Sequence, residues 1–296
     1  MITQTRFGTR LLSRLGALSL LTVGLLVGVA AAPAVAAPQP SVVFGTSAGD
    51  YVALGDSFTA GQGAPPYLPG PCFLSRYTSY PVVAGALSPY RLAANKACSG
   101  ADTSAVLSQL PGIGSKTSLV TLTVGGIDAG SNVVLAACAP DPTSPVCVSA
   151  INGSLLQLRD LAPKLVSTYL AVASAAPQAR VVVMNYPLLF ASGISPLGDT
   201  INGATAALNG AIAAAVGAAT VVNPHIQFLD VTPAFANHGI GSALPYISYD
   251  PAHPAAPANF HPNALGDALG YYRVLATHGL LGITFNQLQS RWPAGL

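Results

Sequence analysis

At 296 residues the chain is long enough for one large domain with a substantial core, and 51% hydrophobic residues could fill it. Of the twelve Lys and Arg, three lie before residue 37, so nine face ten Asp beyond it and the overall charge of +2 becomes about −1. This excludes a nucleic-acid surface, and with no Glu anywhere any carboxylate chemistry falls to Asp.

The first 36 residues carry Arg6, Arg10 and Arg14, an almost unbroken apolar run from Leu18 to Val29, and then Ala34-Val35-Ala36. A basic start, a short apolar core and small residues at the end read as a secretory signal peptide cut near Ala36, the core being short for an uncleaved membrane anchor. Residues 37–49 have a linker composition, and residues 50–296 are expected to form the folded domain.

The stretch Tyr51-Val52-Ala53-Leu54-Gly55-Asp56-Ser57 is an apolar strand that stops abruptly in small residues around one hydroxyl. Glycines there let the chain turn sharply and leave Ser57 reachable at the strand's carboxyl edge. A bare Gly-Asp-Ser also fits a turn whose Asp56 and Ser57 only cap a helix. Gly63 to Tyr80, rich in Pro, Gly and Tyr, reads as an irregular loop suited to walling a pocket. Pro81–Leu87 is a helix candidate and Arg91–Ala97 an extended segment leading to Cys98-Ser99-Gly100. Ser118–Val124 is β-branched and unbroken, as a strand buried on both faces should be, and it ends at Gly125-Gly126-Ile127-Asp128. A helical spacing over Asn152–Ala176 contains Pro163 as a potential kink. Arg180–Met184 and Ile226–Val231 read as strands, Thr200–Ala219 and Asn263–His278 as helices. Strands alternating with helices predict an α/β fold with a parallel sheet.

Cys72, Cys98, Cys138 and Cys147 permit three disulfide pairings in an oxidising compartment, and sequence order favours Cys72 with Cys98 and Cys138 with Cys147. A metal site is the rival reading, but no C-x-x-C or H-E-x-x-H spacing occurs, so no metal and no cofactor are expected.

Gly55-Asp56-Ser57, Ala97-Cys98-Ser99-Gly100-Ala101, Thr121-Leu122-Thr123-Val124-Gly125-Gly126 and Phe260-His261-Pro262-Asn263-Ala264-Leu265-Gly266 resemble, in order, four blocks of the SGNH (GDSL-type) hydrolase family. The similarity is to its secreted actinobacterial lipase and esterase branch and spans roughly residues 50 to 278. It implies a three-layer α/β/α, flavodoxin-like parallel sheet and ester hydrolysis without a metal. Carried over by position, Ser57 is the nucleophile, His261 the base, and the N–H groups of Ser57 and Gly100 the oxyanion donors. Two positions depart from the family. Ile127 stands where an Asn usually adds a third oxyanion donor. Ala258 stands where an acid usually orients the histidine, a task that some members of the branch give to a backbone carbonyl, which Ala258 could supply.

His253 competes with His261, because Asp250 lies three residues before it; Asp250 could instead turn to orient His261. Asn132 and Asn185 are candidate substitutes for the lost oxyanion donor, with ordinary capping or loop roles as the alternative. Asp56 and Asp128 read as structural carboxylates. The expectation is a secreted, monomeric serine esterase acting on small-molecule or lipid esters with hydrophobic acyl groups, with contact to a lipid or envelope surface. Its alternative is a weak or inactive envelope or binding protein that kept the fold, motivated by Ile127 and Ala258.

Overall fold

In a computed structural model, which describes residues 48–283 apart from 139, 140 and 142, the apolar runs become five parallel strands. They are β1 (Asp50–Gly55), β2 (Arg91–Asn95), β3 (Thr117–Thr123), β4 (Arg180–Met184) and β5 (Ile226–Leu229). Their order across the sheet is β2-β1-β3-β4-β5. The signal peptide, nearly all of the linker and the tail from residue 284 lie outside the described residues.

Side chains alternate between the two faces of the sheet. Tyr51, Ala53, Leu119, Val182 and Met184 enter one apolar cluster, shared with Tyr80 and Tyr271. Val52, Leu54, Val120, Leu122, Val181 and Val183 enter the other, shared with Leu165, Tyr169 and Ile212. Both faces are covered, which is why the central strands read as continuous apolar runs rather than alternating ones. One covering layer is formed by α2 (Tyr80–Leu87), α7 (Thr232–Phe235), a π-helical segment (Gly266–Tyr272) and α8 (Arg273–Thr277). The opposite layer is α3 (Thr103–Ser108), α5 (Pro145–Ala175) and α6 (Pro196–Val222). Two further helices, α1 (Ser57–Ala60) and α4 (Ser131–Cys138), follow β1 and β3. The result is the expected three-layer α/β/α fold.

In this strand order the connections reverse direction between β1 and β3, and a crevice opens there at the carboxyl ends of the strands. That geometry sends the segments after β1 and β3 to the same place. Among the described residues α6 alone is long and apolar enough to cross a membrane. Its Ile212, Val216 and Ala219 are buried in the core, so the protein uses its apolar face for packing.

Several elements differ from the sequence expectations. α5 starts seven residues before Asn152, because Ser144 accepts a hydrogen bond from the Cys147 N–H at 3.2 Å and Pro145 occupies the first turn. Pro163 interrupts neither the helix nor its packing. α6 likewise starts at Pro196, capped by Ser195. The closing helix divides into the π-helical segment and α8, entered through Asn263, whose Oδ1 accepts the N–H groups of Leu265 and Gly266 at 3.0 Å each. The disulfides are Cys72–Cys98 and Cys138–Cys147, and the second ties α4 to the start of α5.

Candidate active site

Ser57 owes its place to the sheet. Gly55 has φ +122°, and a Cβ there would lie 2.2 Å from the Thr123 carbonyl oxygen of β3, so only glycine brings the two strand ends this close. The Gln109 amide clamps the same residue, accepting its N–H at 2.8 Å and donating to its carbonyl at 2.9 Å. Asp56 then caps α1 by accepting the Phe58 N–H at 3.0 Å, and its carboxylate also accepts the hydroxyls of Thr123 and Tyr186. Burial pushes that carboxyl up to about 6, against hydrogen bonds that pull it down. Asp56 is thus a structural carboxylate, as expected, and Ser57 begins the helix at the floor of the crevice.

His261 arrives from the other end of the chain. Its Nε2 lies 2.8 Å from the Ser57 Oγ across 204 residues of sequence. Its Nδ1 lies 2.8 Å from the carbonyl oxygen of Asn259. A carbonyl only accepts, so Nδ1 carries the proton and Nε2 presents a lone pair to the serine hydroxyl. Burial pushes the imidazole down to about 4, with the Asn259 hydrogen bond opposing, so it is neutral at ordinary pH.

Two expectations about what orients this histidine are corrected. The Ala258 carbonyl accepts the backbone N–H of His261, leaving Nδ1 to the next carbonyl along. Asp250 points elsewhere: its Oδ2 meets Nδ1 of His253 at 2.7 Å, and both side chains are exposed. His253 is therefore a surface partner of Asp250, away from Ser57.

The loop bearing His261 is held by bonds that no local pattern announces. Phe260 sits at φ +64°, in the left-handed region that ordinary residues avoid, just before the imidazole. Its N–H donates to the Ser248 carbonyl, and the Ser248 N–H donates to the His261 carbonyl, each at 2.8 Å. The Asn259 side chain accepts the Asp250 N–H at 2.8 Å and donates to the His253 carbonyl at 2.9 Å, closing the loop on itself. From the serine side, Gln62 donates to the Pro257 carbonyl at 2.7 Å and the Ser248 hydroxyl donates to the Gly63 carbonyl at 3.0 Å. A Cβ on Gly63 would lie 2.1 Å from the Pro262 carbonyl oxygen, so the two loops meet with no space for one.

The backbone N–H groups of Ser57 and Gly100 have no acceptor among the described residues, and both residues line the cavity above the crevice. Gly100 is reached through a pinned turn: Cys98 is disulfide-bonded to Cys72 and donates its N–H to the Gly55 carbonyl at 3.0 Å. Ile127 lines the same cavity and offers no side-chain donor. Of the two candidate substitutes, Asn132 lines it too. Asn185 does not: it is buried, donating to Asp230 at 2.8 Å and accepting the Val231 N–H at 2.9 Å. Asp128 braces the start of α3, accepting the Thr103 N–H and hydroxyl at 2.9 and 2.7 Å.

The cavity measures about 440 Å³ and is walled largely by apolar groups, including Phe58, Leu135, Leu189, Leu208 and Phe260. The loop from Pro254 to Pro257 contributes to it; the loop from Gly63 to Tyr80, expected to wall the pocket, does not, and instead carries Cys72. Among the described residues no group of three or more His, Cys or Asp side chains could hold a metal ion.

Residues 53–269 match the model of the GDSL-like Lipase/Acylhydrolase family. A lipase of Streptomyces rimosus is 35% identical over 250 residues, covering 83% of this chain and 90% of its own. Lipase 1 of Streptomyces coelicolor is 34% identical over 280 residues, covering 90% and 97%. In crystal structures, an extracellular lipase from Streptomyces rimosus superposes with a TM-score of 0.69 at 33% identity, covering 78% of this chain and 99% of that one. Phospholipase A1 from Streptomyces albidoflavus gives 0.70 at 33% identity, covering 77% and 98%. With a match over most of its length and relatives above 30% identity along nearly their whole chains, the protein belongs to the GDSL-like lipase/acylhydrolase family and is a carboxylic ester hydrolase.

Proposed function

We propose that the protein is an exported serine esterase of the lipase type, which cleaves esters of hydrophobic acyl groups through an acyl-enzyme on Ser57. The observation that carries this reading is the contact between Ser57 Oγ and a neutral His261 whose tautomer is fixed by the Asn259 carbonyl. As the Ser57 oxygen attacks the ester carbonyl carbon, its proton passes to His261 Nε2, and the carbonyl oxygen gains charge facing the N–H groups of Ser57 and Gly100. Collapse breaks the bond to the alcohol, which leaves with the proton from His261. Water then repeats the sequence: it gives a proton to His261, attacks the acyl carbon, and frees the acid as the proton returns to Ser57.

The apolar cavity supports fatty or other hydrophobic acyl groups over sugars. Export with removal of residues 1–36, leaving a domain from residue 50 onward, is supported by the amino-terminal composition and by the extracellular lipase among its relatives. We take the enzyme to act as a monomer, with lipid or envelope surfaces as its site of contact. A fluorophosphonate probe and a chromogenic short-chain ester test the mechanism together. Labelling at Ser57 with ester turnover is expected; a wild-type protein that neither labels nor turns over would be the inactive binder instead.

A further inference from the structure

Tyr186, just beyond β4, lines the cavity, yet nothing in the mechanism above uses it. Its hydroxyl has two partners. It donates to Asp56 Oδ2 and accepts the Gly126 N–H at 3.1 Å. Its own backbone is fixed on both sides by Asn209 of α6, which accepts the Tyr186 N–H at 3.0 Å and donates to its carbonyl at 2.8 Å. Its ring meets Phe58 edge-on at 4.9 Å, and the Phe58 ring in turn lies 5.2 Å from that of His261.

One hydroxyl therefore joins the carboxylate that caps the nucleophile's helix to the backbone of the wall that follows β3. That wall is where the third oxyanion donor is missing. The Gly126 N–H is committed to Tyr186 and Ile127 has no polar side chain, so what Tyr186 gives this wall is its position.

We infer that Tyr186 is a positioning residue, a strut whose hydroxyl fixes the Gly126–Ile127 wall relative to Ser57 through Asp56. The inference rests on the hydrolytic reading of the Ser57 site and deepens it. Asp56 is the variable end of the strut. As a carboxylate it grips the tyrosine hydroxyl with a charge-assisted bond, and as a neutral acid it grips it less. The ionisable groups facing Asp56 directly are Tyr80 of α2, Tyr169 of α5, Tyr186 itself and Tyr271 of the π-helical segment, none of them charged at neutral pH. Beyond them stand His261 across Ser57, Asp267 beside Tyr80 and Tyr271, and Asp128 toward Tyr169. Asp56 is the acid that holds the Tyr186 hydroxyl, so its ionisation is the charge change that acts on the strut. Burial pushes its carboxyl up to about 6 and pushes His261 down to about 4.

The test compares wild type, Tyr186→Phe and Asp56→Asn on a soluble short-chain ester from about pH 4.5 to about 8, with the pH dependence of the Gly126 amide resonance as a readout independent of turnover. Wild type is expected to show a step in kcat near 6, and a Gly126 amide shift with the same midpoint. Tyr186→Phe is expected to lose about tenfold in kcat with KM little changed, the worth of one hydrogen bond to a charged group. Its kcat step should move to higher pH, because the hydroxyl that lowers Asp56 is gone, and its Gly126 amide should no longer follow pH. Asp56→Asn keeps a good helix cap and should abolish both signals. A Tyr186→Phe enzyme with wild-type kcat and an unmoved step, or a wild-type Gly126 amide silent near 6, overturns the strut. Should Tyr186→Phe fail to fold, a step that survives in Asp56→Asn overturns it. Absence of both turnover and Ser57 labelling in the wild type instead overturns the hydrolytic reading, and the Gly126 midpoint still decides whether the strut exists.

Discussion

The turn bearing Ser57 and the loop bearing His261 meet at 2.8 Å, but they are held in opposite ways. Ser57 follows a central strand, and the backbone of Asp56 is bonded to the neighbouring strand at Thr123. Its position is a consequence of the sheet. His261 follows no strand, and its loop is placed by hydrogen bonds that cross between loops: Gln62 to Pro257, the Ser248 hydroxyl to Gly63, and the backbone of Ser248 to that of Phe260 and His261. Ser57 thus inherits the stability of the sheet, whereas His261 depends on these polar contacts and on the packing of Phe260 against Phe190 and Tyr249. Changes at the seam should therefore damage catalysis well before they damage the fold.

Gly63→Ala breaks that asymmetry most directly. The new methyl would meet the Pro262 carbonyl at 2.1 Å, and the His261 loop is the softer side. Displacement of the base by about 1 Å costs on the order of a hundredfold in turnover. The expected outcome is that loss in kcat with near-ultraviolet circular dichroism close to wild type. Retained turnover would mean that the seam does not place the base.

The same asymmetry explains what was legible in the sequence. β1, β3 and β4 announce themselves as unbroken apolar runs, and Gly55 marks the end of β1 because a strand crossing this close admits no Cβ. The family blocks located Ser57, Gly100 and His261. The support of His261 was not legible, because a backbone carbonyl has no side-chain signature: Asn259 orients the ring with an atom every residue possesses. The acid three residues before His253 drew notice instead, and its carboxylate serves only the surface. α3 and α4 give little signal because each spans too few turns to show a helical spacing, six residues in α3 and eight in α4. α3 takes its cap from Asp102 and a brace from Asp128, 25 residues away from Thr103. Tyr186 stood in an unremarkable Asn-Tyr-Pro run, and only the fold brings it to Asp56.

Asn259→Ala separates the two functions of that residue. The carbonyl stays, while the side-chain bonds with Asp250 and His253 are lost. A loosened loop is expected to lower kcat about tenfold, roughly the worth of one or two hydrogen bonds, with a small fall in Tm. An unchanged kcat would show that the carbonyl alone suffices.

The pH profile sharpens the contrast from the side of charge. An imidazole at its ordinary value of about 6.5 would leave about a tenth of the base form at pH 5.5. His261 is pushed down to about 4, so its base form persists through that range and the final acid loss of kcat/KM should come near 4. The step near 6 belongs to Asp56, and Asp56→Asn should remove it while leaving the loss near 4. A limb at the ordinary histidine value that survives in Asp56→Asn would contradict the burial of the base.

On the Ser57 side, Ile127→Asn adds a donor to the wall that the Tyr186 hydroxyl braces at Gly126. A well-aimed side-chain donor is worth roughly a hundredfold or more, but one introduced without its supporting bonds should gain about threefold to tenfold in ester turnover. No gain, with the fold intact, would show that another group, with Asn132 in the same cavity as the first candidate, already fills that place.

The smallest effect is expected where the sequence pattern was most suggestive. Asp250 and His253 have the spacing of an acid and the base it serves, and they do pair, at 2.7 Å. Their side chains are 51% and 74% exposed, and an ion pair open to water contributes little. The Asp250 backbone N–H, which does anchor the loop through Asn259, is untouched by Asp250→Asn. The variant should therefore keep kcat within about twofold and the same acid limb, since an exposed carboxylate leaves the His261 field almost unaltered. A tenfold loss, or a limb displaced toward lower pH, would mean that the loop reorganises around substrate and turns this carboxylate inward, so that the base would be held by charge and no longer by a carbonyl.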